Sequence, residues 1–125
     1  MSIRNCRIRA GMSARELAEA VGVSSSSEWQ WESGHVAPRY ANIMRMCHAL
    51  GVDHETLMAE EEDFVFNPAM LKQMIDTPLK RNFFRAVTGA SRQNCTDWRK
   101  GVVPTIEKLR IIAEAYDREV YEFFS

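Results

Sequence analysis

Apolar positions recur at helical spacing along this chain, and no useful length alternates apolar with polar as a half-buried strand does. Ile43, Met46, Cys47 and Leu50 fall at i, i+3, i+4 and i+7, as do Leu109, Ile112, Ala113 and Tyr116. Each set predicts one buried helical face. Ser13-Ala-Arg-Glu16 reads as a capping box opening a helix that turns Leu17, Ala18 and Val21 inward. Gly22 ends that helix, Ser24 caps the next, and Gly34 ends it in turn. Further on, Thr77 caps with Pro78 at the first helical position, predicting a helix to about Thr88. Gly89 turns the chain, and Ser91 caps a helix up to Lys100. The expected class is all-α.

The two halves repeat one another. Residues 22–34 read GVSSSSEWQWESG and residues 89–101 read GASRQNCTDWRKG. Glycine bounds both segments, serine is third in each (Ser24, Ser91) and tryptophan tenth (Trp31, Trp98). A proline follows each, Pro38 and Pro104, and then an apolar helix. At an offset of 67 residues the two copies fill the chain. This predicts about five short helices per copy, with the tryptophans at matching sites packed on the fourth helix. The expected boundaries are 1–59 and 68–125, joined by an acidic linker at 60–67.

Composition sets the class of partner less clearly than the distribution of charge. The chain has 125 residues, 46% hydrophobic and 26% charged, the balance of a soluble globular protein. It has no long apolar run, and arginines occupy the start where an export signal needs an apolar core. Cys6, Cys47 and Cys95 lie far apart with no CxxC pair, the usage of a reducing compartment, so a cytoplasmic, nucleoid-associated protein is expected. The formal net charge is −1. Residues 55–68 hold five acids and no base, whereas residues 69–104 hold seven bases against Asp76 and Asp97. Such a basic stretch can be the footprint of a phosphate backbone or simply a solvated face.

The first copy resembles the lambda-repressor-like, Xre/Cro helix-turn-helix family over nearly all of residues 3–59. The matching elements are Arg7, Gly11-Met12-Ser13, Glu16-Leu17-Ala18-Glu19, Val21-Gly22-Val23-Ser24, Trp31-Glu32-Ser33-Gly34, Pro38 and Ala49-Leu50-Gly51-Val52. The resemblance implies that the helix after the Gly-Val-Ser turn enters the DNA major groove. By position it implies DNA contact for Ser25, Ser26 and Gln30, and an ion pair between Arg7 and Glu32. The second copy looks like a diverged member. The same register places Arg92, Gln93, Asn94 and Asp97 at the base-reading positions, where arginine suits guanine and the amides suit adenine. Lys80, Arg81, Arg85, Arg99 and Lys100 are the candidate phosphate contacts, with Arg92 beside them. Arg99 stands where the first copy has Glu32, and Met74 where it has Arg7, so packing by Phe83, Phe84 and Trp98 is expected to replace the ion pair.

The first copy carries one misfit. Glu28 occupies a position the family usually fills with a buried valine or isoleucine, so it must reach solvent, pair with a base, or tilt its helix. Trp29 is then exposed beside the reading edge. His35, His48 and His54 lack ligand spacing, and neither a phosphate loop nor a Ser/His/Asp pattern is present, so no metal, cofactor, small-molecule ligand or enzyme is expected. The expected architecture is therefore two tandem five-helix lambda-repressor-like bundles. The expected function is sequence-specific duplex DNA binding by a prokaryotic or phage-type transcriptional regulator, a repressor. A protein-interaction module of antitoxin or anti-repressor type, keeping the fold without the reading, stands as the alternative. Leu57-Met58, Tyr121 and Phe123-Phe124 read as exposed apolar ends, predicting a homodimer through the C-terminal copy.

Overall fold

The computed structural model describes residues 1–125 and divides them into two compact units, Met1–Phe64 and Val65–Ser125. All regular structure is helical. In the first unit α1 (Ile3–Arg9), α2 (Ala14–Val21), α3 (Ser25–Glu32), α4 (Tyr40–Leu50) and α5 (His54–Met58) follow one another. The Ser13–Glu16 capping box closes reciprocally: Glu16 N–H donates to Ser13 Oγ at 3.1 Å and Ser13 N–H to Glu16 Oε1 at 2.9 Å. Gly22 then takes φ 84°, a left-handed conformation that releases the chain from α2 without the steric cost a Cβ would add. Two residues later Ser24 Oγ accepts from Ser27 N–H at 3.1 Å and starts α3. Helix α2 packs against α3 and α4, and α1 packs across α2 and α3. Ile3, Cys6, Leu17, Val21, Met46 and Leu57 form the centre of the core, with Trp31 half-buried against it.

The segment after α5 lies along α1. Buried Asn5 donates Nδ2 to the Glu62 carbonyl at 2.9 Å and accepts Phe64 N–H at Oδ1, also at 2.9 Å. Arg9 forks onto Glu61 at 3.2 and 2.8 Å, and its guanidinium sits 4.8 Å over the Phe64 ring. The residues read as a linker thus belong to the first unit as far as Phe64.

The second unit comprises α6 (Ala69–Ile75), α7 (Pro78–Thr88), α8 (Arg92–Arg99), α9 (Ile106–Ala115) and a 3-10 helix, Val120–Phe123. Thr77, Ser91 and Thr105 each cap the following helix with a side-chain oxygen. A fifth α-helix is replaced by that single turn because residues beyond it are extended. Ser125 and Val65 exchange two backbone hydrogen bonds at 2.8 and 2.9 Å, and Asn67 N–H donates to the Phe123 carbonyl at 2.8 Å. This pairing lays Phe124 edge-on against Phe66 and seals Phe123 in the core. Of the C-terminal aromatics expected at the surface, Phe123 and Phe124 are therefore covered within their own unit. Leu57, expected exposed in the first unit, is also fully buried, although Tyr121 and Met58 remain exposed.

Trp98 is buried with its ring edge-on to Phe84. Phe83, expected to share that packing, is instead 60% exposed, because adjacent helical residues diverge by about 100° and Phe84 takes the inward position. No helix is long and apolar enough to cross a membrane.

Candidate nucleic-acid interface

Helices α3 and α8 follow the same local plan: a left-handed glycine, a serine cap, then eight residues. They also bury corresponding positions, Glu28 on α3 and Cys95 on α8, one helical turn before Trp31 and Trp98. With the fourth and seventh residues turned in, the 3.6-residue period leaves the second and sixth facing out. Those are Ser26 and Gln30 on α3, and Gln93 and Asp97 on α8.

On α3, Ser25 and Ser26 are exposed and Gln30 is half-buried. Trp29 is 59% exposed and stacks on His35, ring centroids 5.4 Å apart. The helix is tied from behind by Arg7, which donates from Nε and Nη2 to the two Glu32 oxygens at 3.0 and 3.1 Å. Its Nη1 donates to the Met12 carbonyl at 3.0 Å. Both side chains are only 11% exposed, so the pair is bidentate and largely withdrawn from water. Glu28 does not resolve itself in either of the first two ways the sequence suggested. It is 1% exposed, and neither carboxylate oxygen has a hydrogen-bond partner. Burial without a donor disfavours the ionised form.

On α8 the candidate readers are not brought together on one face. Gln93 Nε2 donates to Asp97 Oδ1 at 2.8 Å, so these two engage each other on the outward side. Half-buried Asn94 turns to one flank, bordering a shallow depression with Trp98 and Lys108. Arg92 turns to the other flank, towards α7. There Arg81, Arg85, Arg92 and Arg99 line a cleft of about 270 Å³, with Asn82 and Thr96 between them. Helices α7 and α8 meet through Phe84 and Trp98, but their backbones lie further apart than those of α2 and α3 in the first unit.

None of the four arginines is paired to a carboxylate. The Arg81 Nη1 donates to the Ile75 carbonyl at 3.0 Å, and Arg85 Nε is buried with no acceptor. Carboxylates of this unit pair elsewhere, Asp76 with Lys80 and Glu122 with Arg118. Lys80, so engaged, lies apart from the cleft, while Lys100 is exposed at the end of α8. Cys95 borders the cleft at 2% exposure. Burial pushes its thiol up from the ordinary range, and Arg85, Arg81 and Arg99 oppose that shift without overcoming it.

The unit boundary also redistributes charge. Met1–Phe64 holds six basic and ten acidic residues, a net of −4, and Val65–Ser125 holds ten basic and seven acidic, a net of +3. Sequence reasoning named all four cleft arginines but missed the cleft. The signal open to it was Arg81 and Arg85 four apart on one helix, Arg92 and Arg99 seven apart on the next, with no acid on the facing sides. Asn5 was missed altogether, since nothing local marks a buried amide that holds a segment some sixty residues away.

Residues 2–60 match the model of a family described as helix-turn-helix domain, a match to slightly under half of the chain and to nearly all of the first unit. The match supports a helix-turn-helix family, consistent with the all-helical fold, and points to a DNA-binding regulator. Searches of curated proteins and of solved structures found no match.

Proposed function

We propose that this chain is a sequence-specific duplex-DNA-binding transcriptional regulator, a repressor of the Xre/Cro type, whose second unit is a diverged duplicate of the first. The observation that carries the proposal is the basic face of α7 and α8, four arginines without a carboxylate partner on a unit of net charge +3. Phosphate contacts from Arg81, Arg85, Arg99 and Lys100, joined by Lys80, position the unit. Arg92, Gln93, Asn94 and Asp97, at the start and on the outward side of α8, read base edges from different flanks of the helix. The α3 helix contributes Ser25, Ser26 and Gln30, held in place by the Arg7–Glu32 pair.

Selection of bound sequences from a random duplex pool tests this directly. A consensus that is recovered repeatedly, with affinity falling steeply in salt, supports it; recovery of no consensus overturns it. A second reading, in which the first unit is a protein-interaction module, is favoured by one observation. Trp29 stands exposed on α3 of a unit whose net charge is −4, a poor approach to a polyanion. A homodimer through the second unit, placing two α8 helices roughly 34 Å apart on a two-fold site, remains part of the proposal. With Phe123 and Phe124 covered, its exposed apolar residues include Leu79, Phe83 and Tyr121. Sedimentation at micromolar concentration tests it, a monomer ruling the dimer out.

A further inference from the structure

The cleft between α7 and α8 is built differently from a solvated basic surface. Surface arginines on a helical protein pair with neighbouring carboxylates or spread into water. Here four converge on one cleft of about 270 Å³, with no carboxylate among its lining residues. Their mutual repulsion is a standing cost that a bound anion removes. Arg85 Nε is buried without an acceptor, a second cost that the same anion removes. Arg81 is held by the Ile75 carbonyl, so part of its donor fork is fixed before any ligand arrives.

The first unit shows that this is not a property of the local plan. Sixty-seven residues earlier the four arginine positions are Ala14, Ala18, Ser25 and Glu32. None is basic, and the backbones of α2 and α3 lie closer together than those of α7 and α8.

Guanidinium forks match the oxygens of phosphate two at a time, and several forks around one group suit a dianion. The cleft is smaller than the roughly 300–1,000 Å³ of sites for drug-sized ligands, so it takes a phosphate with at most a small organic group. We propose that the α7–α8 cleft is a binding site for a phosphate-type oxyanion, surrounded by Arg81, Arg85, Arg92 and Arg99. A backbone phosphodiester of DNA and a free phosphate present the same oxygens. In the first case the site deepens the DNA-binding reading and rests on it; in the second it stands without it.

The test is titration of the full chain with inorganic phosphate at constant ionic strength set by chloride, following the Arg85 Nε–H resonance. The site predicts a saturable shift with phosphate that chloride alone does not produce. Arg99→Gln, at an exposed position that leaves the core intact, weakens phosphate at least tenfold, as does Arg92→Gln, and both keep the Arg85 reporter. Addition of a short duplex then separates the sources. Displacement of phosphate by duplex assigns the site to the backbone; simultaneous binding of both assigns it to a free phosphate compound. Saturation by phosphate in a protein that binds no duplex keeps the site and removes the DNA reading. A shift no larger than chloride gives, or unchanged phosphate affinity in Arg99→Gln, overturns the site while leaving duplex binding to stand or fall by itself.

Discussion

Replacing Glu28 by leucine should stabilise the first unit, and the amount should depend on pH in a way that identifies the cause. Glu28 is 1% exposed and both its oxygens lack a donor, so the folded state is best served by the neutral carboxyl. The unfolded chain ionises the same group above about pH 4.3. Over that window the folded state binds a proton that the unfolded state has released, so stability falls as pH rises. Each pH unit costs about 1.4 kcal/mol, and a fully neutral Glu28 at pH 7 therefore costs up to about 3.7 kcal/mol. The missing hydrogen bonds of the neutral group add about 1–3 kcal/mol at any pH. Leucine removes both terms. The expected gain is about 1.5–3.5 kcal/mol near pH 4.5 and up to about 5–7 kcal/mol at pH 7.

Glu28→Gln separates the two terms, since glutamine cannot ionise but still buries polar atoms without partners. It should recover the pH-dependent part and little else. Native-state hydrogen exchange at the Leu17 and Val21 amides of α2 reads the first unit without interference from the second core. A Glu28→Leu protein that gains nothing, or gains equally at both pH values, would refute the reasoning and mean that the carboxylate is ionised and satisfied.

Arg7→Ala removes one side of a bidentate pair that is only 11% exposed, leaving Glu32 uncompensated, and should cost about 2–4 kcal/mol in the same exchange measurement. Asn5→Ala should free residues 60–64 locally, at a cost of about 1–3 kcal/mol seen as faster exchange at the Phe64 amide. Acid should act on the same segment. The Arg9 hydrogen bond holds the Glu61 carboxyl below its usual range, so its contribution is present above about pH 4.3 and lost as pH falls through the lowered value. Arg92→Ala should weaken the selected duplex by about 1–3 kcal/mol and relax the preference at one base position in a competition assay.

Helix ends were legible because they are set by neighbours in sequence. Ser13 with Glu16, Ser24, Thr77 with Pro78, and Ser91 each act within one turn, and their helices begin where those residues place them. Burial was legible where one residue type dominates a face, as at Leu109, Ile112 and Ala113. What escaped is what depends on distant partners. Phe123 reads as an exposed terminal aromatic until Val65–Asn67 pairs with the chain beyond the 3-10 helix. Residues 60–64 read as a linker because their charge is visible and the buried amide that holds them is not. Of the candidate site, the side chains were legible and their grouping was not. Consecutive Arg92, Gln93 and Asn94 look like one reading edge in a string of letters, yet successive helical positions point about 100° apart.

The fate of charge on α3 and α8 bears on which helix makes the electrostatic contact with DNA. In the first unit three of the six bases are spent internally, Arg7 on Glu32, Arg9 on Glu61 and Arg15 on Glu19, and the other three are outnumbered by acids. What α3 turns outward is neutral, Ser26 and Gln30, on a body of net charge −4. In the second unit Arg81, Arg85, Arg92, Arg99 and Lys100 face no carboxylate partner. Binding releases counterions in proportion to the phosphates neutralised, with a slope of about −0.9 per contact in a plot of log affinity against log salt. If Arg81, Arg85, Arg99, Lys100 and Lys80 each meet a phosphate, the slope should be about −4 to −5 and should come from the second unit. Arg81→Gln combined with Arg99→Gln should bring it to about −3, whereas Arg15→Gln on α2 should leave it unchanged. The double variant weakens every duplex alike, because phosphate contacts carry no base identity. A slope that persists in the double variant, or that falls with Arg15→Gln, would place the contact on the first unit, against the charge distribution that the two units display.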